Sequence, residues 1–261
     1  MKLQSITTKQ EEILKLLYTY RYLDRIQIQK ALNHKDKRRI LAWLKDLREK
    51  QYIEWIYSTD FVEKTKPAIY YLGINGIRYL NSLDEYPIEE LRKRYKDSSR
   101  SRTFIDRSLA IGNCCLALDS DQFSVLTEAE YIDPDHDYHF LAEHDILRPS
   151  LHIQKQTKDV TTNYLLEIFD ASLPRYRMRR RLKAYVTYLD DQEWEGDDPQ
   201  PIILLVCPNV TELIYAKRAT KKLIEDTYED DLHMRFTTAE LLQKHGITAK
   251  LWEEGRLRFG L

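Results

Sequence analysis

Pro149, Glu167 and Lys183 are spaced along the chain as phosphodiester chemistry could use them. Pro149 lies in the β-rich run 146–153, Glu167 in the run 163–169, and Lys183 on the helical pattern between Arg175 and Leu189. An Asp after a Pro on one strand, with an acid-x-Lys on the next, offers two carboxylates to Mg²⁺, a hard cation that takes oxygen ligands. The lysine then polarises the scissile phosphate or its attacking water. Two places of that set are filled otherwise here. Ser150 follows Pro149, and Phe169 stands two positions after Glu167. Asp170 and Asp145 are the neighbouring acids, and Lys183 would have to reach in from the helix. The expectation is therefore a silent site with no cofactor. Were it active, Glu167, Asp170 and Lys183 would be its set and Mg²⁺ its metal.

Two cationic stretches suggest a polyanion instead. In KDKRRILAWLKDLREK (35–50), helical spacing puts Ile40, Leu44 and Leu47 on one stripe. Arg38, Ala42, Lys45 and Glu49 fall opposite, flanked by Arg39 and Asp46. Such a helix is either a solvated surface helix or one that enters a DNA major groove. In the second case Arg38, Arg39, Ala42 and Lys45 face bases, and Lys35, Lys37, Lys64 and Lys66 meet phosphates. In RYRMRRRLK (175–183), Arg177, Arg180 and Arg181 share a face, beside a buried stripe of Met178, Leu182, Tyr185, Val186 and Leu189. These cations serve either phosphates or the acids between Asp190 and Asp198. The run DPDHDYHFLAEHD (133–145) is rich in ligand-type residues but matches no named metal spacing, so it reads as a solvated acidic loop. There is no glycine-rich phosphate loop and no GxSxG.

The elements that must carry these residues follow in order. Thr8 and Glu11 have capping-box spacing and open a helix through Leu17. Asp24 can cap a second helix, and Asn33-His34 makes the turn into the basic helix. QYIEWIY and AIYYL then read as a hairpin with a long polar tip from Ser58 to Lys66, and a closing helix spans Ile77 to Leu83. Helix, helix, basic helix and two strands is the order of a winged helix-turn-helix. RKRYKDSSRSR (92–102) reads as a solvated linker or a basic strap. From Arg102 onward, apolar helices alternate with β-rich runs at 123–126, 146–153, 163–169, 201–206 and 234–236, an α/β pattern with a mixed sheet. The expected division is 1–86 for the winged helix, 87–101 for a helical, basic linker and 102–261 for the α/β domain.

Charge separates these parts. Residues 1–100 carry 21 Lys+Arg against 14 Asp+Glu, whereas residues 101–261 carry 20 against 28. Such asymmetry fits a polyanion-binding module attached to something else. No apolar run approaches the length that crosses a bilayer. Cys114, Cys115 and Cys207 lack CxxC spacing, which suggests reduced, buried thiols in a cytoplasm.

The chain resembles the replication-relaxation family of bacterial plasmids and mobile elements. The resemblance rests on TTKQEEILKLLYTYRYLDRIQIQKAL, the basic helix with PAIYYLGINGIRYL, and RTFIDRSLAIGNCCLAL. It continues through LRPSL, YLLEIFDAS with RLKAYVTYL, and FTTAELLQKHG. It implies an N-terminal winged helix joined to a restriction-endonuclease-like, PD-(D/E)xK nuclease-like α/β domain. It also implies double-stranded DNA as partner and a role in replication, DNA transfer or transcriptional control, alongside replication or transfer proteins. Where the family often has Pro-Asp and an acid pair ending in Asp, this chain has Ser150 and either Phe169 or Asp170. Paired DNA half-sites further suggest a homodimer.

Overall fold

A computed structural model describes residues 3–57, 65–118, 120–143, 147–158, 160–190, 200–225 and 233–254. The chain divides into two compact units, Met1–Leu116 and Ala117–Leu261.

The first unit runs α1 (Thr8–Tyr20), β1 (Leu23–Asp24), α2 (Arg25–Ala31), α3 (Lys37–Glu49), β2 (Ile53–Ile56), β3 (Ile69–Leu72), α4 (Ile74–Asn81), α5 (Ile88–Arg94) and α6 (Arg102–Ala117). The strands form one antiparallel sheet in the order β1-β3-β2. This is a winged helix-turn-helix. Ile13, Leu14, Leu17, Ile28, Ile40, Leu44 and Leu47 are all buried, so the apolar stripes of α1, α2 and α3 meet in one core.

Local chemistry sets the helix starts. The capping box of α1 lies one residue before the expected Thr8–Glu11 pair. Thr7 is the N-cap, and Gln10 Oε1 accepts from the Thr7 amide at 2.9 Å. The shift frees Gln10 Nε2 to donate to Asp46 at 2.6 Å, which ties α1 to α3. Asp24 caps α2 as expected, in a box with Gln27. Asn33, with φ of 46°, turns the chain between α2 and α3. At Gly76 a Cβ would come within 2.2 Å of the Tyr52 carbonyl oxygen, so α4 can cross the start of β2 only without a side chain there.

Residues 87–101 are built into this unit rather than forming a linker. Leu91, Arg94 and Asp97 are buried. Arg94 Nη2 donates to the Tyr18 carbonyl at 2.9 Å, Asp97 pairs with Arg21, and Tyr22 Oη donates to the Asp97 carbonyl at 2.6 Å. The helix from Arg102 also belongs here, not to the α/β part. Gln27 Nε2 donates to the Leu109 carbonyl and to Asn113 Oδ1, each at 2.8 Å, and Ile105 packs with Tyr22 and Ile69.

The second unit runs β4 (Phe123–Thr127), α7 (Glu128–Tyr131), α8 (Phe140–Glu143), β5 (Leu151–Gln156), β6 (Thr161–Ile168), α9 (Arg175–Asp190), β7 (Ile202–Cys207), α10 (Val210–Glu225), β8 (Met234–Thr238), α11 (Ala239–His245) and β9 (Glu253–Glu254). Its sheet is mixed, in the order β4-β5-β6-β7-β8-β9. β6, β7 and β8 are parallel neighbours, and the other pairs are antiparallel. Parallel strands lie inside α/β sheets, which is why β7 reads IILLVC without alternation. Met178, Leu182, Tyr185, Val186 and Leu189 of α9 pack in one cluster with Leu165, Leu205 and Phe236 of the sheet. The strand expected over 146–153 begins only at Leu151, because the preceding residues spend their groups elsewhere. The Pro149 carbonyl accepts from Tyr131 Oη at 2.6 Å, and Ser150 Oγ accepts from the Ile168 amide at 3.0 Å. Among the described residues, no helix is long and apolar enough to cross a membrane.

Candidate functional site

The burial of Ile40, Leu44 and Leu47 fixes which way α3 faces. Arg38, Arg39, Ala42 and Lys45 are all exposed, as are Lys35 and Lys37 at the helix start. Two of the three acids at this helix are engaged elsewhere. Asp36 caps it, accepting from the amides of Arg38 at 2.8 Å and Arg39 at 3.4 Å. Asp46 is held between Lys50 at 2.8 Å and Gln10 at 2.6 Å. The ammonium of Lys50 holds the Asp46 carboxyl below its usual range, with Gln10 acting in the same direction against partial burial. Glu49 stays on the face, 3.8 Å from Lys45, a loose pair in water. Arg39 lies over the Trp43 ring at 5.8 Å, and His34 meets the same ring edge-on. The result is a helix presenting guanidinium and ammonium donors around a small residue, a shape that fits base edges and phosphates.

At the wing, Lys66 is exposed; Lys64 and most of the hairpin tip lie outside the described residues. A feature the sequence reading missed lies at the wing's base. Arg48 sits 3.7 Å from the centre of the Trp55 ring, and Trp55 stacks on Tyr57 with centroids 5.3 Å apart. Trp55 is 40% exposed and lies on the edge strand β2. The signal was a cation in the last turn of α3, seven residues before an aromatic on the next strand.

In the second unit, Glu167 is buried on β6 and meets a cation from α9, but that cation is Arg181 rather than Lys183. Arg181 Nη2 donates to Glu167 Oε2 at 2.5 Å and to the Arg148 carbonyl at 2.8 Å. Tyr185 Oη donates to the same carboxylate oxygen at 3.0 Å. Burial opposes the charge on Arg181, yet Glu167 and Tyr185 outweigh it and hold its pKa above the usual arginine value. Asp170 accepts from the Ser172 amide and hydroxyl at 2.7 and 2.6 Å, closing a turn after β6. Lys183 is exposed on another face of α9. Glu167, Asp170 and Lys183 are thus not brought together.

Mg²⁺ does not fit this donor set. Glu167 is already engaged by a guanidinium and a phenol, and Ser150 Oγ accepts from a backbone amide. Among the described residues no three His, Cys, Asp or Glu side chains gather as a metal site, and Asp145 and His144 lie outside them. The remaining cations of α9 also separate. Arg177 is exposed, its Nε donating to Tyr176 Oη at 3.1 Å, while Arg180 shares an open groove with Arg179 and Lys183.

The sequence model of the replication-relaxation family matches residues 14–199. The chain belongs to that family.

No curated protein matches this replication-relaxation protein in a sequence search. Among solved structures, it is similar to the adhesin competence repressor of Streptococcus pyogenes at 19% identity and a TM-score of 0.23. That alignment covers 36% of this chain and 77% of the repressor. Two structures of the restriction endonuclease FokI also match. The form bound to DNA aligns at 13% identity and a TM-score of 0.34, over 92% of this chain and 44% of FokI. The second FokI structure aligns at 12% identity and a TM-score of 0.33, over 94% of this chain and 46% of FokI. The replication-relaxation protein therefore spans less than half the length of either FokI chain.

Cys114, Cys115 and Cys207 of the replication-relaxation protein are buried and form no disulfide, and burial pushes the Cys114 and Cys207 thiols up to about 12. They are core residues, not nucleophiles.

Proposed function

We propose that this protein binds double-stranded DNA sequence-specifically through its winged helix, in the replication, transfer or transcriptional control of a plasmid or mobile element. The observation that carries the reading is the exposed face of α3. Arg38, Arg39, Ala42 and Lys45 stand open, while Asp36 and Asp46 are bonded elsewhere. In this reading Arg38 and Arg39 meet base edges, and Lys35, Lys37, Lys64 and Lys66 meet phosphates. A homodimer in the cytoplasm, reading two half-sites, is the arrangement a winged helix most readily supports.

The test is selection of a duplex site from a random pool, followed by titrations of the selected and scrambled duplexes. Arg38→Ala should cost roughly 1–3 kcal/mol on the selected site and little on the scrambled one, whereas Lys66→Ala should weaken both alike and lower the salt dependence. Equal losses on both duplexes for Arg38→Ala would overturn base readout by α3.

A further inference from the structure

Along α9 runs a groove of about 620 Å³, lined by Tyr176, Arg179, Arg180 and Lys183, with Val186 and Leu223 as its apolar wall. Tyr176, Arg180 and Lys183 are spaced four and three residues apart, which places them on one stripe of the helix. Other cations of the same helix are committed to protein. Arg175 forks onto Glu212 with contacts of 3.0 to 3.2 Å, and Arg181 is held by Glu167. Arg179, Arg180 and Lys183 are exposed, and none forms an ion pair among the described residues. Tyr176 is 67% exposed beside them at the rim of the cationic groove, with the Arg177 guanidinium 5.9 Å from its ring centre.

A solvated helix face has no reason to combine these features. Exposed cations answer phosphates, and an open aromatic ring next to an apolar wall answers the face of a base. In a duplex the base faces are stacked on one another, so the ring and wall would have nothing to meet. In a single strand they are free, and stacking on aromatic side chains with a basic groove along the backbone is how such strands are bound. We propose that the α9 groove is a single-stranded DNA site. Arg179, Arg180 and Lys183 contact its phosphates and Tyr176 stacks a base. The site is built from other residues than α3 and stands whether or not α3 reads duplex DNA.

The experiment uses the full chain carrying Arg38→Ala and Arg39→Ala, which weakens the α3 face, and a fluorescent oligothymidine of about 12 nucleotides, within the span of known single-strand sites. Anisotropy titrations are run at several salt concentrations. Adding Arg179→Ala, Arg180→Ala and Lys183→Ala should weaken binding about ten-fold or more and reduce the salt slope by about two, as expected for three lost phosphate contacts on a single strand. Tyr176→Ala should lose about five-fold or more while Tyr176→Phe keeps the affinity, since stacking needs the ring and not the hydroxyl. Restoring Arg38 and Arg39 should leave duplex binding indifferent to the groove substitutions, which separates this site from the α3 reading. Unchanged oligothymidine affinity in the triple variant would overturn the site. A scrambled duplex that displaces the oligothymidine, with Tyr176→Ala binding as tightly as the parent, would overturn the single-strand assignment in favour of a duplex backbone.

Discussion

Arg181 on α9 places its guanidinium 2.5 Å from Glu167 Oε2 on β6, so a cation supplied by the chain itself occupies the buried carboxylate. Tyr185 and the Arg148 carbonyl add hydrogen bonds to the pair. A carboxylate held this way has less to gain from a divalent ion, because the guanidinium already answers its charge at Oε2.

The consequence is measurable without any assay of activity. Mg²⁺ should leave the melting temperature of the protein unchanged, because ligand stabilisation requires a site in the folded state. Arg181→Ala should destabilise by about 3–5 kcal/mol, as expected when one partner of a buried pair is removed and the other is left uncompensated. Thermal melts with and without Mg²⁺ read the first, and urea unfolding reads the second. A Mg²⁺-dependent rise in the wild-type melting temperature would show that the pair opens for metal, and supercoiled plasmid should then be tested for nicking.

Asp97 anchors the segment between α5 and α6 through Arg21, while Arg94 is buried alongside it. Burial, with Arg21 nearby, lowers the Arg94 guanidinium to about 10, so this cluster tolerates little loss of negative charge. Asp97→Ala should cost about 3–5 kcal/mol by leaving buried cations without their counter-charge. The measurement is the urea midpoint of the full chain, with Asp106→Ala as an exposed control on α6. Equal small effects for the two would mean that the segment contributes nothing to the first unit.

Helix-turn-helix geometry was legible because it is local. Asp24 sits at the start of α2, and Ile40, Leu44 and Leu47 repeat at helical spacing in α3. The α1 cap slipped by one residue because Thr7 and Thr8 are both good caps, and the Gln10–Asp46 contact with α3 goes with the Thr7 box. The stretch 87–101 was misread because Arg94 and Asp97 look like solvent residues until Tyr18, Arg21 and Tyr22 are seen around them. The same limit applies to Glu167. Arg181 and Lys183 differ by about 200° around a helix, and the sequence holds no record of which of them α9 turns toward β6.

Gly76→Ala tests the crossing of α4 over β2. Its Cβ would press to 2.2 Å from the Tyr52 carbonyl oxygen, a backbone atom that cannot rotate aside. The substitution should destabilise by roughly 1–3 kcal/mol, the usual range for overpacking, against the small gain alanine gives in an open helix. Gly246→Ala is the comparison, since it has empty space for the methyl but a φ of 79°, so it isolates backbone strain from collision. A stabilised Gly76→Ala would mean that the two backbones separate without cost.

Acid should loosen the first unit through Asp46 and Glu11. Asp46 is depressed below 3.8 chiefly by its hydrogen bond from Lys50, and Glu11 below 4.5 chiefly by its hydrogen bond from Tyr79. In both, the folded state binds the proton less readily than the unfolded chain does. Their contribution is therefore full above the unfolded values of 3.8 and 4.5 and is lost as pH falls through the lower folded ones. Urea midpoints measured from neutral pH downward should stay level and then drop below about 4.5, where protonation of the unfolded chain begins. Asp46→Asn and Tyr79→Phe should each lower the neutral-pH midpoint and flatten that drop, since each removes one of the two linkages. Because Asp46 also holds Gln10 and Lys50 beside α3, Asp46→Asn at neutral pH should leave duplex affinity unchanged if the acid only braces the helix. A tighter complex would show instead that its charge is felt by the bound phosphates.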